Sequence, residues 1–133
     1  EETSSKLPPC GHGSEEGRVG DRAAMGDERV KEEALQILGV FQALPRLVVF
    51  DLDYTLWPFY CDCRSKREMP SLYPHAKGIL YALKDKGIDV AIASRSSTPD
   101  IAKTFLDKLG IKSIFGAQVS LISPFSIYNS LML

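Results

Sequence analysis

Two carboxylates one residue apart, Asp51 and Asp53, follow directly on the apolar run Leu47-Val48-Val49-Phe50, and Thr55 comes two residues later. If the chain leaves a strand by an irregular turn here, both side chains and the carbonyls between them converge on one point. That point offers hard oxygen ligands to Mg2+ and a carboxylate nucleophile beside an acid/base. Thr55 adds a hydroxyl to the same cradle. An Asp-x-Asp is also common as a turn or helix cap, so the spacing alone leaves the chemistry open.

The elements around these residues decide between the two readings. Four apolar residues rich in β-branched side chains read as a strand buried on both faces, and in open α/β sheets ligands bind outside the carboxyl ends of such strands. Upstream, Val30, Ala34, Ile37, Leu38 and Phe41 fall on one helical face, with Asp27 as the expected N-cap and Pro45 as the stop. Downstream, Pro74 opens a helix with Ala76, Ile79, Leu80 and Leu83 inward, and Gly87 closes it. Ile88 to Ala93 then reads as a second buried strand ending at Ser94-Arg95. A third unit repeats the pattern: Thr98 as N-cap, Pro99 in the first turn, Ile101, Ala102, Phe105, Leu106 and Leu109 inward, Gly110 as stop, and a strand over Lys112 to Ala117. Alternating strands and helices predict a parallel α/β sheet with helices on both faces.

Composition narrows the function classes. A chain of 133 residues, 44% of them apolar, can bury one core but not two. It contains no apolar run of the length that a membrane-spanning helix needs, and its first residues are acidic and polar, so the cytosol is the expected location and no membrane partner is indicated. Residues 1 to 39 hold nine acids and five bases, whereas residues 40 to 133 hold eight acids and eleven bases. The weakly basic portion carries the candidate site and favours an anionic, phosphorylated substrate, but lacks the dense basic stripe that nucleic acid requires. Cys10, Cys61 and Cys63 form neither a disulfide framework nor a zinc set, and Cys61 and Cys63 read as two loop thiols. The loop over residues 61 to 72 carries Arg64, Lys66 and Arg67, a cluster that reads either as solvated or as a short lid over the substrate.

The stretch Phe50-Asp51-Leu52-Asp53-Tyr54-Thr55-Leu56-Trp57-Pro58 resembles the first motif of the haloacid dehalogenase (HAD) superfamily, and in its detail the small eukaryotic magnesium-dependent phosphatases, plant members included. Ser94, one strand-helix-strand step later, matches the second motif, a Ser or Thr that hydrogen-bonds the transferring phosphoryl group. A lone Ser in a turn has an ordinary turn role, and its place at the next strand end is what favours the functional one. Arg95 reads as an anion contact or as the partner of a surface acid.

The resemblance implies an HAD-like (Rossmannoid) sheet and a Mg2+-dependent phosphomonoester hydrolase. Asp51 would be the nucleophile forming an aspartyl-phosphate and Asp53 the general acid and then base, with Mg2+ held by Asp51 and Asp53. Thr55, Ser94 and Arg95 would contact phosphate. The substrates it implies are phosphorylated small molecules, sugar adducts among them, or phosphoproteins, including phosphotyrosine. HAD phosphatases also use a later Lys and a later acidic pair, yet Lys112 is the last charged residue here. Likeness to the family is expected to run from about Met25 to Gln118. That divides the chain into a disordered or leader-derived segment over 1–24, a C-terminally incomplete phosphatase domain over 25–118 and a divergent uncharged tail over 119–133. The alternatives are a non-catalytic isoform that binds phosphate or a partner, and a glycosyltransferase whose Asp-x-Asp holds a metal and nucleotide.

Overall fold

The computed structural model describes residues 20–94 and 96–116, with side chains from Met25 onward. The tail over 119–133, the leader segment up to residue 19 and Arg95 lie outside the described residues. Helix α1 spans Gly20–Gly39, strand β1 Leu47–Phe50, helix α2 Ala76–Asp85, strand β2 Asp89–Ile92 and helix α3 Pro99–Lys108. Short 3-10 turns at Cys61–Cys63 and Lys112–Phe115 complete the order.

The two strands pair in parallel, with Val48 opposite Val90 and Phe50 opposite Ile92. Because side chains alternate along a strand, this register sets Val48, Phe50, Val90 and Ile92 on one face. That face meets the core formed by Leu52, Leu56, Trp57, Leu80, Phe105, Leu106, Ile111 and Phe115. The parallel α/β arrangement of a partial HAD-like fold is therefore present. The expectation that β1 is buried on both faces is not met: Leu47 is 42% and Val49 46% exposed. No described element covers that side of β1.

Three boundary expectations also shift, each for a local reason. Helix α1 begins at Gly20, so residues 20–24 of the stretch expected to be irregular are helical, and Asp27 lies inside the helix rather than at its cap. The Asp27 carboxylate instead reaches across to Lys77 Nζ at 3.9 Å on α2. Helix α2 starts at Ala76 with His75 at its N-cap position, two residues after Pro74, and Gly87 beyond its end has φ 69°. The third strand expected over Lys112 to Ala117 is absent from the described residues, and Lys112–Phe115 forms a 3-10 turn. Ile111, Ile114 and Phe115 are buried while Lys112 and Ser113 are exposed. That three-residue spacing puts the apolar side chains on one side of a turn, where a strand would need them to alternate.

Helices α1 and α2 approach each other closely at Gly78. A Cβ there would lie 2.6 Å from the Asp27 carbonyl oxygen and 2.8 Å from Val30 Cβ and Cγ1. The Lys31–Asp85 ion pair at 2.8 Å joins the same two helices. Alanine normally stabilises a helix interior relative to glycine by about 1 kcal/mol, but here the clash is with backbone, which no rotamer change relieves. Gly78→Ala should lower stability by about 1–3 kcal/mol, read as a fall in the denaturant midpoint. A Cβ at Gly39 meets nothing within 4 Å, so Gly39→Ala should not destabilise. Equal midpoints for the two variants would remove the close helix approach.

Candidate active site

Strand β1 ends at Phe50, whose carbonyl oxygen accepts the Ala93 N–H at 2.9 Å. This bond carries the pairing one residue past β2 and brings the segments leaving the two strands side by side. Asp51, exposed, opens the first segment, and Ser94, 8% exposed, lies in the second. The two sequence motifs therefore meet at neighbouring strand ends. Arg95, the remaining expected phosphate contact, lies outside the described residues.

After Asp51 the chain makes one tight turn around the Leu52 carbonyl, which accepts N–H groups from Thr55 at 3.1 Å, Leu56 at 2.9 Å and Trp57 at 3.4 Å. Tyr54 takes a left-handed conformation, φ 55°, to close it. That conformation is disfavoured for a residue with a Cβ. Leu52 and Leu56 point into the core, while Tyr54 and Thr55 are exposed. The turn is the irregular exit that Asp-x-Asp chemistry needs.

Asp53 is half-buried, and its Oδ1 accepts the Trp57 indole N–H at 2.7 Å and the Cys61 backbone N–H at 3.1 Å. A fully buried indole must find an acceptor, so the burial of Trp57 and the orientation of Asp53 are one event. Trp57 is locked in turn by a stacked contact with Phe59 at 5.3 Å, and Phe105 of α3 stands edge-on to both rings. With Oδ1 held by the Trp57 indole and the Cys61 backbone N–H, the Asp53 carboxylate is held in one orientation. Among the described residues no backbone N–H is bonded to the Asp53 carbonyl oxygen.

The loop over 61–72 is docked rather than open. Arg64 lies 4.7 Å over the Phe59 ring and pairs with Glu68 at 2.9 Å. Lys66 faces Asp100 at 3.8 Å, and Lys108 Nζ of α3 donates to the Lys66 and Glu68 carbonyls at 2.6 and 2.8 Å. Arg64 and Lys66 thus each have a partner within the protein.

Sequence reasoning missed Asp62. Its Oδ1 accepts from Ser96 Oγ at 3.1 Å and Thr98 Oγ1 at 2.7 Å, and its Oδ2 from Ser97 Oγ at 2.8 Å. Partial burial pushes its carboxyl up, but the hydroxyls of Thr98, Ser97 and Ser96 and the Thr98 N–H together outweigh that and hold it below the usual 3.8. Thr98 occupies the N-cap position of α3 as expected, yet its hydroxyl makes no cap bond. The available signal was three consecutive hydroxyl residues, Ser96-Ser97-Thr98, ahead of Pro99.

Of the two expected loop thiols only Cys61 is free, and it is buried, while Cys63 is disulfide-bonded. Burial, then the charge of Asp53 and a hydrogen bond to it, push the Cys61 thiol from 9.0 up to about 12. The folded protein therefore holds this proton where the unfolded chain releases it, and stability falls as pH rises from 9 towards 12. Cys61 should resist alkylation at pH 8 in the native protein and react fully in denaturant, as read by mass spectrometry. Rapid native alkylation would show that the thiol is neither buried nor protonated.

The acid phosphatase family profile matches residues 43–71 and 64–130. The second match extends past Gln118, where the likeness read from the motifs ends. Among individual proteins the chain is 34% identical over 89 residues to a Saccharomyces cerevisiae protein named as a magnesium-dependent phosphatase, covering 51% of this chain and 49% of the yeast protein. It is 38% identical over 79 residues to human magnesium-dependent phosphatase 1, covering 48% and 45%. It is 33% identical over 84 residues to a HAD-like hydrolase superfamily protein of Schizosaccharomyces pombe, covering 50% and 49%. The chain spans about half the length of these relatives. On the profile match, the chain belongs to the acid phosphatase family, and over about half of their length it is similar to proteins named as magnesium-dependent phosphatases and a HAD-like hydrolase.

Proposed function

We propose that the site hydrolyses phosphomonoesters through a covalent intermediate on Asp51. The observation that carries this reading is the meeting of two parallel strand ends, with Asp51 and an oriented Asp53 after β1 and a buried Ser94 after β2. An Asp51 carboxylate oxygen attacks phosphorus as the bond to the leaving oxygen breaks, and the Asp53 carboxyl gives that oxygen its proton. Asp53, now ionised, takes a proton from water as the water attacks the aspartyl-phosphate, which releases phosphate and restores Asp51. The Ser94 hydroxyl, with Thr55 at the turn, contacts the phosphoryl oxygens, a role that the HAD resemblance also implies for Arg95.

The oxygen donors fit Mg2+. The Asp51 carboxylate is exposed and the Asp53 carbonyl oxygen has no backbone donor among the described residues, while the Asp53 carboxylate is committed through Oδ1. No described group of three His, Cys, Asp or Glu residues could hold a metal by itself. Mg2+ commonly binds through one or two protein oxygens together with substrate phosphate and water. Bound there, it would neutralise charge between the anionic nucleophile and the phosphate.

The relatives' names support a phosphorylated substrate, and the exposed Asp51 suits a phosphorylated small molecule or a phosphoprotein side chain. Family membership sets the transferase alternative aside. One observation favours a second reading, in which the 133-residue chain binds phosphate or a partner without efficient turnover. No residue from Ser113 to Leu133 is charged, so the later Lys and acidic pair that the HAD resemblance implies are missing from it.

On the first reading the chain hydrolyses a generic aryl phosphate only with Mg2+, more slowly than its relatives. Asp51→Asn should lower that rate by about three orders of magnitude or more, and Asp53→Asn by about a hundredfold. Unchanged hydrolysis in Asp51→Asn, or with a strong chelator present, would refute the mechanism. Saturable, Mg2+-dependent phosphate binding without turnover would establish the second reading.

A further inference from the structure

The 3-10 turn Cys61–Cys63 touches both strand-end segments at once. On one side its Cys61 N–H donates to Asp53 Oδ1 at 3.1 Å. On the other, Asp62 accepts the hydroxyl hydrogens of Ser96, Ser97 and Thr98, residues 34 to 36 positions further along the chain. Two of the hydroxyls are also ordered against each other: Ser96 Oγ and Thr98 Oγ1 lie 3.1 Å apart, and the Thr98 N–H donates to Ser96 Oγ at 3.1 Å. All four residues follow one of the two proposed motifs within ten positions of Asp53 or four of Ser94.

We infer that Asp62 is a positioning residue, and that the Cys61-Asp62-Cys63 turn ties the segment after Ser94 to the segment after Asp51 so that both motifs face the phosphoryl group at a set separation. The backbone ladder alone does not achieve this. Its last bond joins Ala93 to Phe50, so beyond Ala93 the chain has left the sheet before Ser94 is placed. Among the described residues, the nearest tertiary hydrogen bonds after that point are the three hydroxyl bonds to Asp62. Charge-assisted hydrogen bonds of this kind are roughly twice as strong as neutral ones and are directional, which suits a part that sets distance rather than adding buried area. Phe59 and Phe105 pack beside the turn and hold it against α3. The catalytic consequence rests on the phosphatase reading, whereas the tie itself does not.

The test uses the full 133-residue chain with Asp62→Ala and the milder Asp62→Asn, whose amide oxygen still accepts from two hydroxyls. Backbone amide exchange is read across residues 53–61 and 94–98, alongside kcat and KM for Mg2+-dependent hydrolysis of an aryl phosphate. Asp62→Ala should speed exchange over 94–98 by about tenfold or more while α1 and α2 stay protected, with Asp62→Asn intermediate. It should also lower kcat and kcat/KM together by about tenfold or more. Unchanged exchange over 94–98, a uniform rise across the whole chain, or faster local exchange with unchanged kcat would each overturn the inference. If the parent chain shows no Mg2+-dependent hydrolysis, or Asp51→Asn hydrolyses as fast, the phosphatase reading falls, and the exchange pattern alone decides whether Asp62 ties the two segments.

Discussion

The parallel pairing of Leu47–Phe50 with Asp89–Ile92 is the constraint on which the rest depends. In parallel strands both chains leave the sheet at the same edge, so whatever follows β1 must share space with whatever follows β2. The register, Phe50 opposite Ile92 with the Phe50 carbonyl bonded to Ala93, sets the first acid and the buried serine within a residue of the same level. A slip of one residue would turn Val48 and Phe50 away from the core and carry Asp51 to the other face.

The site is built outward from this edge by coupling polar order to aromatic packing. Trp57 can be fully buried because its N–H finds Asp53, and Asp53 keeps one orientation because Trp57 cannot move without disturbing Phe59 and Phe105. Each aromatic pair contributes about 0.5–1.5 kcal/mol beyond its buried area. The orientation of a candidate acid is therefore tied to the stability of the core. Cys61 sits at the junction, giving its backbone N–H to Asp53 and holding its thiol protonated beside the same carboxylate.

The covering of the sheet is uneven, and the unevenness separates stability from chemistry. Leu47 and Val49 face away from the core and stay exposed, an apolar strip that offers no polar group for a reaction. The loop after β1 carries the charges that invite a functional reading, yet Arg64 and Lys66 answer to Glu68, Phe59 and Asp100. Exposed pairs of this kind contribute little energy one by one. Together with the Lys108 bonds they hold the loop on α3 and leave the strand-end segment at Asp51 as the open side.

How much of this was legible in the sequence follows from the range of the forces involved. Local pattern determined the two strands, the placing of Thr98 and Pro99 at the start of α3, the left-handed stops at Gly87 and Gly110, and the association of Asp51 and Asp53 with a strand end, because alternation, capping and turn preferences act within a few residues. The motif at Phe50 to Pro58 also determined the family. Local pattern misplaced the start of α1 and turned Lys112–Phe115 into a strand, since a short apolar run has no period long enough to separate a strand from a turn. Only tertiary structure decided that Leu47 and Val49 are exposed on one face of β1, that Asp53 is held by Trp57 and Cys61, and that Asp62 meets Ser96, Ser97 and Thr98. The physical reason is that a carboxylate's partners are chosen by which segments the sheet brings side by side, and for Asp62 those partners lie more than thirty residues along the chain.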